Sequence, residues 1–184
     1  MAESENEILE IAVKAGLKIS LHDKAVSVNQ ILDLKNKSTI GLILFLIGAF
    51  VFFLIAFLGK NQNIVSIIIC ILFGVLFFSL SVLSLIRQAF DYVSISDNHL
   101  HFRYNLKSFS VVVDKPMIIK MKTEIMKVRR SSFIYVNLYV MLQDKELPIL
   151  NFQMDRLESA DAQKLGNYIT GILNKKLDLI KASQ

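Results

Sequence analysis

Two stretches of the chain, Ser38–Leu58 and Ile64–Ile86, carry no Asp, Glu, Lys, Arg or His, and only Gly59-Lys60-Asn61-Gln62-Asn63 separates them. A bilayer core of about 30 Å takes about 20 apolar residues, each adding about 1.5 Å of helix. Both stretches meet that length, and the link fits only a tight turn. The pattern predicts a two-helix transmembrane hairpin over residues 38–86. It leaves an N-terminal segment over 1–37 and a water-exposed domain over 87–184.

Ahead of the hairpin, Ile8, Ile11, Ala12 and Ala15 fall on one helical face, which predicts a short helix over Ser4–Ala15 stopped by Gly16. Leu17, Ile19 and Leu21 alternate with polar residues, as do Val26 and Val28 beyond His22-Asp23-Lys24. That spacing reads as a β-hairpin with a three-residue turn; the alternative is a helix over Val26–Leu34 leading into the membrane.

After Arg87-Gln88-Ala89-Phe90 the period changes to two. Tyr92–Ser96 alternates, Asp97-Asn98 signals a turn, and Leu100, Phe102 and Tyr104 share a face opposite His99, His101 and Arg103. Phe109, Val111 and Val113 make the next strand, which Asp114-Lys115-Pro116 breaks, because proline cannot donate to a ladder. Ile119 and Met121 oppose Lys120 and Lys122; Phe133–Leu142 is the longest strand, and Leu147–Phe152 follows. Short strands with tight turns predict an antiparallel sheet. Asp155 to Glu158 has capping-box spacing. From there Ala162, Leu165, Ile169, Ile172, Leu173, Leu177 and Ile180 recur at helical spacing, predicting a closing amphipathic helix in which Gly166 and Gly171 pack closely on the sheet. The fold class expected is a membrane α-hairpin plus an α+β domain.

Charge sharpens the picture. The net charge of +5 is uneven: residues before Ser38 carry five Lys against six acids, those after Ile86 fifteen Lys or Arg against ten. A basic domain beside a membrane answers anionic headgroups more readily than nucleic acid. Lys24, Lys35, Lys37, Arg87 and Arg103 flank the spans, against Lys60 alone in the turn. This places both termini in the cytoplasm. The acidic start, with Glu3, Glu5 and Glu7, does not read as a secretory signal. Cys70 is the only cysteine, so no disulfide forms within the chain.

The strands opened by Tyr92-Val93-Ser94-Ile95-Ser96-Asp97-Asn98-His99-Leu100 and closed by Asp161-Ala162-Gln163-Lys164-Leu165 through Ile172 resemble the bacterial membrane-anchored pleckstrin-homology-like (PH-like) domain proteins. The resemblance covers residues from about Phe90 to Leu179. It implies an antiparallel PH-like sheet or barrel closed by the C-terminal helix, the bacterial inner membrane as location, and scaffolding, lipid contact or protein assembly without catalysis.

The chemistry expected is sparse. Both apolar blocks lack the ionisable groups that an ion or proton path needs. His99 and His101 share a strand face, but three or four convergent ligands are needed for a metal, so none is expected, nor any other cofactor. No phosphate loop, nucleophile elbow or HExxH pattern occurs, so no catalytic residue is assigned. The basic run Lys115, Lys120, Lys122, Lys127, Arg129 and Arg130 is the candidate contact for lipid or partner. Its competing interpretation is a solvated edge guarded by Lys against strand pairing. Gly41, Gly48 and Gly74 are the candidate packing positions of the hairpin. The function expected is a non-enzymatic, membrane-anchored interaction or scaffold module that contacts lipids, a membrane complex or its own copies. The alternatives are an accessory or regulatory subunit of a transporter or secretion machine recognised through the hairpin, and an immunity-type inhibitor of a membrane-active toxin.

Overall fold

The computed structural model describes residues 2–22, 24–32, 37–58, 63–113, 117–128, 131–142 and 145–183. The chain divides into two compact units, Met1–Ile31 with Phe90–Gln184, and Leu32–Ala89. The N-terminal segment belongs to the same unit as the C-terminal region.

In that unit α1 (Ala2–Lys14) buries the predicted stripe of Ile8, Ile11 and Ala12. Gly16 ends it at φ +71°, a left-handed conformation that side chains disfavour, and the chain turns directly into β1 (Leu17–Leu21). Strand β2 (Ala25–Gln30) pairs antiparallel with β1, and His22 and Ala25 exchange backbone hydrogen bonds of 2.9 and 3.2 Å across the turn. The strand reading holds over Val26–Gln30 in place of the alternative helix. Buried Val26 and Val28 alternate with half-buried neighbours, as a one-sided sheet requires.

Strands β3 (Tyr92–Ser96), β4 (His99–Tyr104) and β5 (Lys107–Val112) complete an antiparallel sheet in the order β1-β2-β3-β4-β5. The β4–β5 turn puts Asn105 at φ +51° and Leu106 at φ +66°. Two successive positive φ values suit the right-handed twist of a tight hairpin, and Leu106 accepts the strain that Gly would avoid. Between β2 and β3 the whole apolar hairpin is inserted, yet Asn29 lies opposite Tyr92 and the Gln30 N–H donates to the Asp91 carbonyl at 2.9 Å.

A second antiparallel sheet joins β6 (Met117–Val128), β7 (Ser131–Leu142) and β8 (Lys145–Asp155). All three are longer than the sequence indicates. β6 continues past Met121 through Thr123-Glu124-Ile125-Met126, where alternation fails but the register with β7 carries the strand on. β8 contains Pro148, and the β7–β8 register shifts between Leu138 and Tyr139 to accommodate the missing donor. Ile134, Val136, Leu138 and Val140 line the inner face.

Helix α4 (Ser159–Ala182) closes the core with Ala162, Leu165, Ile169, Leu173, Leu177 and Ile180; Ile172 is only partly buried. Asp155 caps the preceding 3₁₀ turn, its Oδ1 accepting from the Leu157 N–H at 3.2 Å. A Cβ at Gly166 would overlap the Met121 Sδ and lie 3.0 Å from Val136 Cγ1, so this glycine is the close contact with the sheet. Gly171 is not: a Cβ there meets nothing within 4 Å.

The two sheets do not close into a barrel. Among the described residues β1 and β5 edge one sheet, β6 and β8 the other.

The other unit is the helical hairpin, α2 (Lys37–Leu58) and α3 (Ile64–Phe90), with α3 running beyond its apolar block into Arg87-Gln88-Ala89-Phe90. Thr39–Leu58 and Ile64–Ile86 are long and apolar enough to cross a membrane, and only 11% of each is buried. The helices meet through aromatic rings: Phe45 with Phe77 at 5.6 Å, and Phe52 with Phe73 and Phe77 at 5.9 and 5.7 Å between centroids. Gly74 admits the Phe53 ring, with Cε1 3.0 Å from where its Cβ would stand. At Gly41 and Gly48 a Cβ meets nothing within 4 Å, so the close approach lies at Gly74 and not at those two positions. Lys60, in the turn, lies outside the described residues.

Candidate functional site

Of the basic run, Lys120, Lys122 and Lys127 stand exposed on β6, while Lys115, Arg129 and Arg130 lie outside the described residues. The pleat separates the three. Lys120 and Lys122 share the outer face with Glu124, and Lys127 points to the other side. Register brings Lys120 opposite Tyr139, Lys122 opposite Asn137 and Glu124 opposite Tyr135.

Lys122 is not free. Its Nζ donates to the Glu146 carboxylate and sits 5.0 Å from the centre of the Tyr139 ring. The hydrogen bond to Glu146 raises the Lys122 pKa above 10.5; slight desolvation opposes this, and the nearby charge of Glu146 adds to it. An exposed pair of this kind contributes little to stability, but it draws the ammonium back over the sheet. Glu146 is 24 positions away in the chain, and only the three-strand register places it there. No local spacing signals it.

The opposite sheet carries a different surface. Following the register across all five strands, Ser20, Ser27, Ser94, His101 and Ser110 form one row on the face turned away from the core. The flanking row is Lys18, Asn29, Tyr92, Arg103 and Ser108, and His99 lies beside Ser96 and Val112. His99 and His101 stack, with rings 5.5 Å apart and 15° from parallel. Among the described residues no group of three or more His, Cys, Asp or Glu could hold a metal ion. The face is hydroxyl-rich and basic, with no carboxylate in these rows. Arg103 also lies over the Phe90 ring, 5.5 Å from its centre.

Where the two sheets part, a cavity of about 210 Å³ opens between Phe102, Tyr104, Phe109, Leu147 and Pro148, with Asn105 and Lys107 at its polar side. Asn151 bridges the sheets here: its Nδ2 donates to the Tyr104 hydroxyl at 3.4 Å, and its carbonyl accepts from the Gln30 amide. Comparison with protein family models, curated proteins and solved structures finds no match. The surfaces themselves therefore carry the functional reading.

A long exposed stretch lies on β6. Lys122 to Lys127 are exposed on both faces of the strand, and Ile125 and Met126 show more than half of their area to solvent. β6 pairs with β7 on one side only. Its first residues are sealed from the other side by α4: the Ile119 N–H donates to Asn174 Oδ1 at 2.8 Å, Asn174 Nδ2 donates to the Ile119 carbonyl at 2.9 Å, and Lys181 Nζ donates to the Met117 carbonyl at 2.8 Å. Sequence reasoning missed both Asn174 and Lys181, which appear as ordinary polar positions on an amphipathic helix.

Proposed function

We propose that this chain is a membrane-anchored, non-enzymatic docking module, whose β-domain is of the bacterial PH-like kind, a run of antiparallel strands closed by one amphipathic helix. The carrying observation is the place of the hairpin. β2 and β3 are hydrogen-bonded neighbours, and the apolar helices leave and return between them. Residues on either side of the hairpin fold as one unit, so two spans must bring the chain back to the side it left. The basic flanks support a cytoplasmic position for that unit, and the PH-like resemblance supports the bacterial inner membrane as the place of its anchor. Tethering on a two-span anchor raises the domain's effective concentration at the membrane without demanding a strong contact of its own. Exposed Lys120 and Lys127 and the outer edge of β6 supply the contact, with anionic headgroups as an auxiliary attraction.

The test exchanges Thr39–Leu58 and Ile64–Ile86 for an unrelated two-span hairpin in the full chain. After gentle detergent extraction, the co-purifying proteins of both forms are identified. Retention of the same companions is expected. Loss of them on exchange overturns the reading and points to recognition through the helices.

A further inference from the structure

The outer edge of β6 alternates between sealed and open backbone. Because Ile119 gives both its N–H and its carbonyl to Asn174, it belongs to the residues that point away from β7. In an antiparallel ladder every second residue points the same way. Met121, Thr123, Ile125 and Lys127 therefore also present their backbone groups outward, beyond the reach of the α4 seal. Edge strands of this kind pair with other strands unless charge, proline or a covering element prevents it.

The usual guard here is lysine, and its effect depends on register. A second copy related by a two-fold axis through Thr123 sets Thr123 opposite Thr123, Met121 opposite Ile125, and Lys122 opposite Glu124 twice, once on each side of the axis. Opposite charges face each other across the strands, and the exposed Ile125 gains an apolar neighbour. A two-fold through Glu124 would instead bring like carboxylates together. In the single chain Lys122 bonds to Glu146, and pairing exchanges this exposed contact for Glu124 of the second copy.

We infer that β6 is a self-pairing edge of the docking module: two copies of this chain join antiparallel through Met121–Ile125, centred on Thr123. This rests on the docking reading and names the partner as a second copy. The pairing stops before Ile119, where Asn174 holds the edge.

The experiment uses the full chain in nanodiscs or mild detergent, with mass measurement of the assembly. The wild-type chain is expected to be a dimer. Thr123→Pro removes an outward donor without touching the β6–β7 ladder and should give a monomer. Lys122→Glu and Glu124→Lys should each lose self-association, and mixing the two should restore a heterodimer. That charge-exchange pair decides the matter even where the proline variant misfolds. With Cys70→Ser as background, Thr123→Cys should form an intermolecular disulfide and Ile125→Cys none. A monomeric wild type, a dimer that survives Thr123→Pro, a mixture that fails to pair, or cross-linking at Ile125→Cys in place of Thr123→Cys overturns the inference. A monomer that still captures its companions overturns self-pairing alone; a dimer that captures none supports the pairing and overturns docking onto other membrane proteins.

Discussion

Asn174 on α4 occupies both backbone hydrogen-bonding groups of Ile119 on β6, accepting from its N–H at 2.8 Å and donating to its carbonyl at 2.9 Å. A side-chain amide has the donor and acceptor geometry of a neighbouring strand, so α4 ends the sheet here as another strand would. Ile119 is 1% exposed, which leaves little access for water as a substitute. Asn174→Ala should cost about 1–3 kcal/mol by leaving buried backbone groups unpaired. Asn174→Asp keeps the acceptor but turns a carboxylate toward the Ile119 carbonyl, and should also destabilise. Urea unfolding of the full chain in detergent, followed by circular dichroism of the sheet, measures both.

The two glycines of α4 should respond with opposite signs. Gly166→Ala forces a methyl into Met121 and Val136, and overpacking of this kind costs about 1–3 kcal/mol. Gly171→Ala meets nothing, and the better helix former should stabilise by up to about 1 kcal/mol. Thermal midpoints of the two variants, compared with the wild type, should move in opposite directions. A destabilising Gly171→Ala would show that the helix face near residue 171 is covered by something.

Lys122 has its pKa raised by the hydrogen bond to Glu146. A raised lysine pKa means that the pair's contribution is fully present below the unfolded value of 10.5 and is lost as pH rises through the folded value. Across neutral pH this pair therefore makes no pH-dependent contribution. Glu146→Gln should return the Lys122 titration toward 10.5, read by NMR titration of the lysine side chain. An unchanged titration would mean that Tyr139 and Glu124 hold the ammonium without Glu146.

The α-helices and most of the strands were legible because their apolar positions repeat with one period. Ile8, Ile11 and Ala12 mark α1, and Ile134 to Val140 mark β7 without any tertiary knowledge. What was not legible depends on neighbours distant in the chain. β6 beyond Met121 has no clear alternation, because its outer half packs against no helix and both faces tolerate mixed residues. The open edge, the Glu146 partner of Lys122 and the Asn174 seal all follow from strand register. Gly41 and Gly48 look like a helix seam by spacing, whereas the bulk of Phe45, Phe52 and Phe77 keeps the helices at ring distance. Within the basic run, strand alternation alone pairs Lys120 with Lys122 and sets Lys127 on the other face, as β6 has them.

The insertion of the hairpin between paired strands leads to one more expectation. Asn29 lies opposite Tyr92, and Gln30 bonds to Asp91 at 2.9 Å, so the chain leaves and re-enters the sheet at adjacent points. Antiparallel neighbours need only a short turn to connect them. Replacing Leu32–Ala89 with a turn of about two to four residues should therefore convert β2 and β3 into an ordinary β-hairpin. The core of this unit comes from α1, both sheets and α4, all of which the deletion leaves in place. The product should be soluble without detergent, with the sheet and helix content of the parent unit and cooperative unfolding. Hydrogen exchange should find the Val28 and Val93 amides protected to the level of global unfolding. A deletion product that aggregates, or whose β2 amides exchange freely, would mean that the sheet needs the helical hairpin to hold β1 and β2 against β3.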